Sequence, residues 1–213
     1  ALLDIRATIP ADADIVAYLD DLYIVCNAAD ATTVLRRVQQ VLADVCHIDI
    51  NIGKLKAWSK NPGPCPPGLE TFGNDIWKAN GPVNERGLKV LGAPLGTTEY
   101  VEQFAVQLVA DTEKLTKLIP KLPSLQDAWL LLYFCAVPRL NHLLRTTSPA
   151  RTASAARLHD DRVLQVFQTT FSIPSAADWV EDLHGISFQT RVKQARLPLR
   201  LGGTGLRDAT RTA

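Results

Sequence analysis

The chain has 213 residues, 46% hydrophobic and 21% charged, an ordinary globular composition with enough material for one large or two small cores. Lys and Arg (23) nearly balance Asp and Glu (22), and no run of 18 apolar residues occurs, which excludes a membrane-spanning helix. The balance hides an asymmetry: residues 1–50 carry three basic and eight acidic side chains, residues 51–138 nine and eight, and residues 139–213 eleven and six. An acidic head suits a metal ion and a basic tail suits a phosphate backbone, although charges this dilute also suit ordinary solvated faces. Cys26, Cys46, Cys65 and Cys135 lack Cys-x-x-Cys spacing, which points to reduced thiols in an intracellular protein rather than a zinc site or a disulfide scaffold. Methionine is absent, so Ala1 is expected to be the edge of a fragment.

Residues 1–14 read as the tail of an element followed by a loop. Ile15 to Cys26 then places two short apolar, β-favouring runs around the adjacent Asp20 and Asp21. Asp is depleted in strands and two buried neighbouring carboxylates are costly, so the stretch predicts a β-hairpin with both aspartates at its tip. Side by side they repel, and a divalent cation with oxygen ligands is the natural counter-ion; a plain polar turn is the competing reading. Asp30 is an N-cap candidate for a helix whose inner stripe is Val34, Leu35, Val38, Val41, Leu42 and Val45. His47 to Ile52 alternates strictly and predicts a half-buried strand, with Lys54 just beyond its end.

Residues 59–82 are too rich in Pro and Gly for a regular element, with Phe72, Ile76 and Trp77 tucking the segment onto the body. Val90 to Gly96 reads as a tight turn. From Glu99 onward helices are expected to Ile119, from Leu125 to Val137, over 150–171 with Leu158, Leu164 and Phe167 inward, and from Asp178 to Ala195 with Gly185 as a point where it can break. Trp129, Tyr133, Phe134 and Trp179 are expected in the core. Arg139, Arg145, Lys193 and Arg196 are expected at the surface, where they also offer charges to a phosphate backbone. The final Gly-rich run lacks the Gly-Lys-Ser/Thr of a P-loop.

Four of these segments, in order, resemble the reverse transcriptases of non-LTR retroelements. Ala17-Tyr18-Leu19-Asp20-Asp21 is similar to their Tyr-x-Asp-Asp box. Ile50-Asn51-Ile52-Gly53-Lys54, with Trp58, resembles the Asn-x-x-Lys stretch that follows it. Val90-Leu91-Gly92-Ala93-Pro94-Leu95-Gly96 resembles the turn of the primer-grip hairpin. Leu197-Pro198 to Arg207 resembles a Gly-Gly-x-Gly-x-Arg stretch downstream of the thumb, with Thr204 in place of the usual leucine. The resemblance implies an α+β fold, with a partial polymerase palm over residues 1–98 and an all-helical thumb-like bundle over 99–213. It implies RNA-directed DNA polymerase activity on an RNA template and DNA primer. Asp20 and Asp21 would bind Mg2+, Lys54 would assist at the nucleotide phosphates, and Tyr18, Gly92, Pro94 and Gly96 would contact substrate or primer.

The family's third metal-binding aspartate lies on a strand upstream of the box, and nothing in residues 1–14 matches it. Asp4, Asp12 and Asp14 have the wrong spacing and surroundings. Two carboxylates do not hold the metal pair needed for in-line transfer, so no polymerisation is expected from these residues alone. Two alternatives follow: a non-catalytic subunit covered by partner proteins in a larger assembly, and a nucleic-acid-binding module using the basic tail. A retroelement enzyme belongs in the nucleus or cytoplasm, whereas an adopted subunit could serve in an organelle.

Overall fold

The computed structural model describes residues 2–180 and 185–212. It is a mixed α and β fold with two small antiparallel hairpins and a predominance of helix. The chain divides into two compact units, Ala1–Leu88 and Lys89–Ala213. The division falls ahead of the Gly92–Gly96 turn, which therefore belongs with the helices that follow.

In the first unit, α1 (Leu2–Thr8) precedes β1 (Asp14–Tyr18), β2 (Asp21–Val25) and α2 (Ala31–Cys46). Ile5, Ile9, Ala13, Val34 and Val38 form a buried core, against which Ile15, Leu22 and Ile24 of the hairpin pack. Alternation along each strand explains why only one face of the hairpin meets that core. The stripe of α2 is buried at Val34, Leu35 and Val38, but Val45 is exposed in the last turn. Asp30 precedes α2 without a side-chain cap bond. A 3-10 turn over Ala28–Asp30 draws it into helical backbone angles (φ −95°, ψ −8°), away from the extended conformation that a capping side chain requires.

The strand expected over His47 to Ile52 does not form. His47 adopts a left-handed conformation (φ 55°) and its N–H returns to the Ala43 carbonyl at 3.2 Å, while Ile48 N–H reaches Leu42 at 3.1 Å. These backbone donors close the helix instead of building a ladder, and Ile48 is left exposed. Ile52–Lys54 is a 3-10 turn. The alternating pattern is present, but among the described residues no strand pairs with it.

The Pro-rich connection is irregular, as its composition predicts, apart from a 3-10 turn at Leu69–Phe72. It is pinned by a parallel bridge in which Ala57 N–H donates to Ile76 (2.9 Å) and Lys78 N–H to Ala57 (2.8 Å). Leu35, Leu69 and Ile76 form a second small core, with Phe72 and Trp77 packed on it. Asp75 accepts from Lys56 at 2.8 Å and also from Lys78, and these ammonium groups hold its carboxyl down to about 2.

The second unit takes in β3 (Gly87–Val90) from Lys89 onward, β4 (Ala93–Gly96), and helices α3 (Thr98–Asp111), α4 (Glu113–Leu118), α5 (Leu125–Leu131), α6 (Asn141–Thr146), α7 (Pro149–Phe171), α8 (Phe188–Ala195) and α9 (Ala209–Thr212). The first expected helix breaks at Thr112, a buried residue whose hydroxyl donates to the Val109 carbonyl at 2.7 Å. Arg162 of α7 donates to the same carbonyl at 2.9 Å. The next expected helix passes from α5 into a π turn at Leu132–Ala136, then a 3-10 turn at Val137–Leu140 and α6. Pro138 has no N–H for the Phe134 carbonyl, and the widened turn is how the chain absorbs that loss.

Helix α7 buries Thr152, Ala155, Ala156, His159, Asp160, Val163, Val166, Phe167 and Thr170. Of the residues expected inward, Phe167 is buried and Leu164 half-buried, whereas Leu158 is exposed. Phe134 is likewise exposed rather than in the core. His159 donates from Nε2 to the Val137 carbonyl at 3.1 Å, and burial pulls its pKa below the ordinary imidazole value. Among the described residues the helix expected from Asp178 is formed over Phe188–Ala195, where the Ser187 hydroxyl caps it by accepting from Thr190 N–H (3.3 Å). Upstream, Gly185 sits at φ 66°, and residues 181–184 of that expected helix lie outside the described residues.

Candidate functional site

The first candidate site is the tip of the β1–β2 hairpin. Tyr18 pairs with Asp21, so the two-residue turn is Leu19-Asp20, and the aspartates stand one in the turn and one on the first residue of β2. Both are exposed, as is Tyr18. Tyr23, next outward on β2, donates its hydroxyl to Asp21 Oδ2 at 3.1 Å. A two-residue hairpin needs a positive φ at its first central position, which Gly normally supplies. Here Leu19 supplies it, at φ 54° with its side chain 89% exposed. An L-residue in that region costs about 1–2 kcal/mol, and no burial of the leucine offsets the cost. Leu19→Gly is expected to stabilise the fold by about 0.5–1 kcal/mol after the entropy of the glycine is counted. A higher urea midpoint with an unchanged slope would show it; a lower midpoint would mean that Leu19 is not strained.

The donor set at the tip does not fit a two-metal centre by itself. Among the described residues no third His, Cys, Asp or Glu joins Asp20 and Asp21. Lys54 is exposed at the end of its 3-10 turn, its ammonium group without a hydrogen-bond or ion-pair partner among the described residues.

The second candidate lies in the other unit. The β3–β4 hairpin turns at Leu91 (φ 48°) and Gly92 (φ 85°), the pair of positive φ values that a tight two-residue turn of this hand demands. His142 of α6 donates from Nε2 to the Leu91 carbonyl at 2.9 Å. The same ring covers Gly92, where a Cβ would stand 3.1 Å from Nε2. Gly92 is thus fixed twice, by backbone angle and by space. Pro94 is buried, whereas Leu91 and Leu95 are exposed. The turn therefore presents its backbone and two leucines outward, with the Pro94 ring inside.

The Gly-rich terminus is built for packing. Gly203 lies against the end of α8, where a Cβ would overlap the Leu197 carbonyl and stand 2.5 Å from that of Gln194. Thr204 N–H and hydroxyl both donate to Ala195 (3.1 and 2.7 Å), Gly205 N–H to Leu197 (2.8 Å) and Gly203 N–H to Pro198 (3.3 Å). These donors close the helix, so none of them is turned toward a phosphate. Leu206 is then buried among Leu132, Ala136 and Val137.

Beyond it, Asp160 of α7 accepts from Ala209 N–H (2.7 Å), Thr210 N–H (3.0 Å) and the Thr210 hydroxyl. Arg196 pairs with Asp208 at 2.8 Å, which removes it from the cations open to nucleic acid. Burial, and then the neighbouring Asp160 carboxyl, push the Asp208 pKa up against that pairing. Sequence reading missed both the Asp160 contacts and His142. An acid on the same helical face as Ala156 and Val163 was the available signal for Asp160; His142 gave none.

No family model, curated protein or solved structure matches the chain.

Proposed function

We propose that this chain is part of an RNA-directed DNA polymerase of the non-LTR retroelement kind, contributing an Asp-Asp hairpin, a primer-grip-like turn and a helical thumb-like unit. The observation that carries the reading is the tip of the first hairpin. A two-residue turn holds Asp20 and Asp21 exposed and adjacent, on a backbone strained at the residue between Tyr18 and the aspartates. The second hairpin and the helices succeed it in the order that the resemblance implies. Mg2+ at Asp20 and Asp21 belongs to this proposal. When bound, the metals of such enzymes neutralise developing phosphate charge; a third carboxylate has to join the pair for that chemistry. Lys54 is proposed to meet nucleotide phosphate, and the backbone at Gly92 and Gly96 to meet the primer.

The test is primer extension on an RNA template by the protein that carries this segment. Asp20→Asn and Asp21→Asn are each expected to lower extension by roughly a hundredfold or more. Asp44→Asn, an exposed carboxylate on α2 that takes only a Gln40 hydrogen bond, is expected to leave it unchanged. Full activity in both hairpin variants would refute the reading.

A second reading has an observation of its own. The outer face of the first hairpin exposes Val16, Tyr18 and Val25, and its two strands pair only with each other among the described residues. A non-catalytic subunit covered there by partner proteins accounts for that face. Isolation in one stoichiometric complex without nucleic acid, with no extension activity, would favour it over the polymerase.

A further inference from the structure

We propose that His142 is a positioning residue for nucleic-acid binding, holding the Leu91–Gly92 turn at one place on the helical unit so that its backbone is presented to a primer strand. The role in strand binding rests on the polymerase reading above; the latch itself rests on geometry alone. Leu91 and Gly92 both occupy the left-handed region, at φ 48° and 85°. For Leu91 that conformation is unfavourable, and its side chain is 44% exposed, so no burial of the leucine repays it. What does hold it is the His142 imidazole, whose Nε2–H donates to the Leu91 carbonyl at 2.9 Å across 51 residues of sequence.

The same ring rests against Gly92, leaving room for hydrogen but not for a methyl group without displacement. Donor and cover come from one side chain, on a helix that itself buries Leu143 and Leu144 in the core beside α3 and α7. The tip is therefore tied to the packed interior by His142, beyond the buried Pro94 that seats β4. Nδ1 of His142 has no hydrogen-bond partner among the described residues, so the ring's fixed function is the Nε2 contact.

The geometry distinguishes substitutes. A glutamine carries its amide nitrogen at about the reach of Nε2, whereas asparagine carries its own at the shorter reach of Nδ1. His142→Gln is therefore expected to preserve the latch, and His142→Asn and His142→Ala to release it. The experiment pairs two measurements on the full-length protein: amide hydrogen exchange over Leu91–Ala93, and KM and kcat with a DNA primer annealed to an RNA template.

In the Ala and Asn variants, exchange at the turn should rise about tenfold and the KM for primer–template about tenfold, with kcat within about twofold of the parent, because a binding contact is lost without changing the chemical step. The Gln variant should restore both measurements. Unchanged exchange in His142→Ala overturns the latch. Faster exchange with an unchanged KM, or an equal loss in the Gln variant, overturns the positioning role. A parent protein that extends no primer refutes the polymerase reading and with it the role in strand binding, while the exchange measurement still decides the latch.

Discussion

Gly203→Ala is expected to cost about 3 kcal/mol or more, among the largest effects of any single methyl group in this chain. Overpacking a well-filled site usually costs about 1–3 kcal/mol because side chains can lean away. Here the obstructing atoms are the carbonyl oxygens of Leu197 and Gln194, and these belong to backbone already committed to the end of α8. Relief requires the loop to move outward. That movement would pull Thr204 and Gly205 from the carbonyls of Ala195 and Leu197, and Leu206 from its place among Leu132, Ala136 and Val137. Gly202→Ala is the control. No heavy atom lies within 4 Å of its virtual Cβ, and its φ of 77° costs only the ordinary left-handed penalty of about 1 kcal/mol. Denaturant unfolding of both variants checks the contrast, and equal losses would show that the close approach is not the cause.

Asp160→Ala should follow closely, at about 3 kcal/mol. Its carboxylate is the acceptor for Ala209 N–H, Thr210 N–H and the Thr210 hydroxyl, on a residue only 5% exposed. Removing it strands Ala209 N–H and the Thr210 hydroxyl, while Thr210 N–H keeps its 3.2 Å bond to Asp208, and each unsatisfied buried donor costs about 1–3 kcal/mol. Part of that loss is recovered by water reaching Thr210, which is exposed. Release of α9 should accompany the loss, seen as rapid amide exchange at Ala209 and Thr210.

Asp208 gives this segment a pH signature. Its carboxyl is raised in the folded state by burial and by Asp160, so the folded chain binds the proton more readily than the unfolded one. This contribution favours folding below the ordinary Asp range and is lost as pH rises through the raised value. Asp160→Ala removes one cause of the elevation and should flatten that part of the stability–pH curve. A curve unchanged by the substitution would mean that the two carboxyls do not influence each other.

Much of this architecture was legible wherever pattern and local chemistry agreed. The hairpin at Ile15 to Cys26 was read from apolar runs around turn residues, and α2 from a stripe at helical spacing. The irregularity of 59–82 followed from proline and glycine alone. Failures came where a tertiary partner decided the outcome. His47 to Ile52 carries a strand pattern but joins no sheet among the described residues, because its first donors close α2. In α7 the expected face was met at Phe167 and partly at Leu164, but Leu158 faces outward, because Ala155, Ala156, His159 and Asp160 fill the inner face on the turn where it stands. Asp30 had the composition of a cap without the backbone angles for one.

The candidate sites divide in the same way. Asp20 and Asp21 were visible because two adjacent carboxylates have few explanations. Gly92 was visible as a turn glycine, but its crowding by His142 was not, since 50 residues of sequence separate the two. The glycines at 202–205 were read as a motif, and the reason for Gly203 emerged only from the carbonyls packed against it.

The π turn at Leu132–Ala136 has a consequence for how the second unit is held together. Each residue of an α-helix advances by about 100°, so one wide turn re-aims everything after it. Before and through that turn, Ala128, Leu132, Ala136 and Val137 face one buried cluster; after it, Leu140, Leu143 and Leu144 face another. A single run of chain thus serves as a spine between two interiors that a straight helix would not reach with the same residues. Deleting one residue of the π turn would not simply shorten the spine. It would turn one of its faces toward water, so the unit's two interiors depend on the paired π and 3-10 turns between α5 and α6.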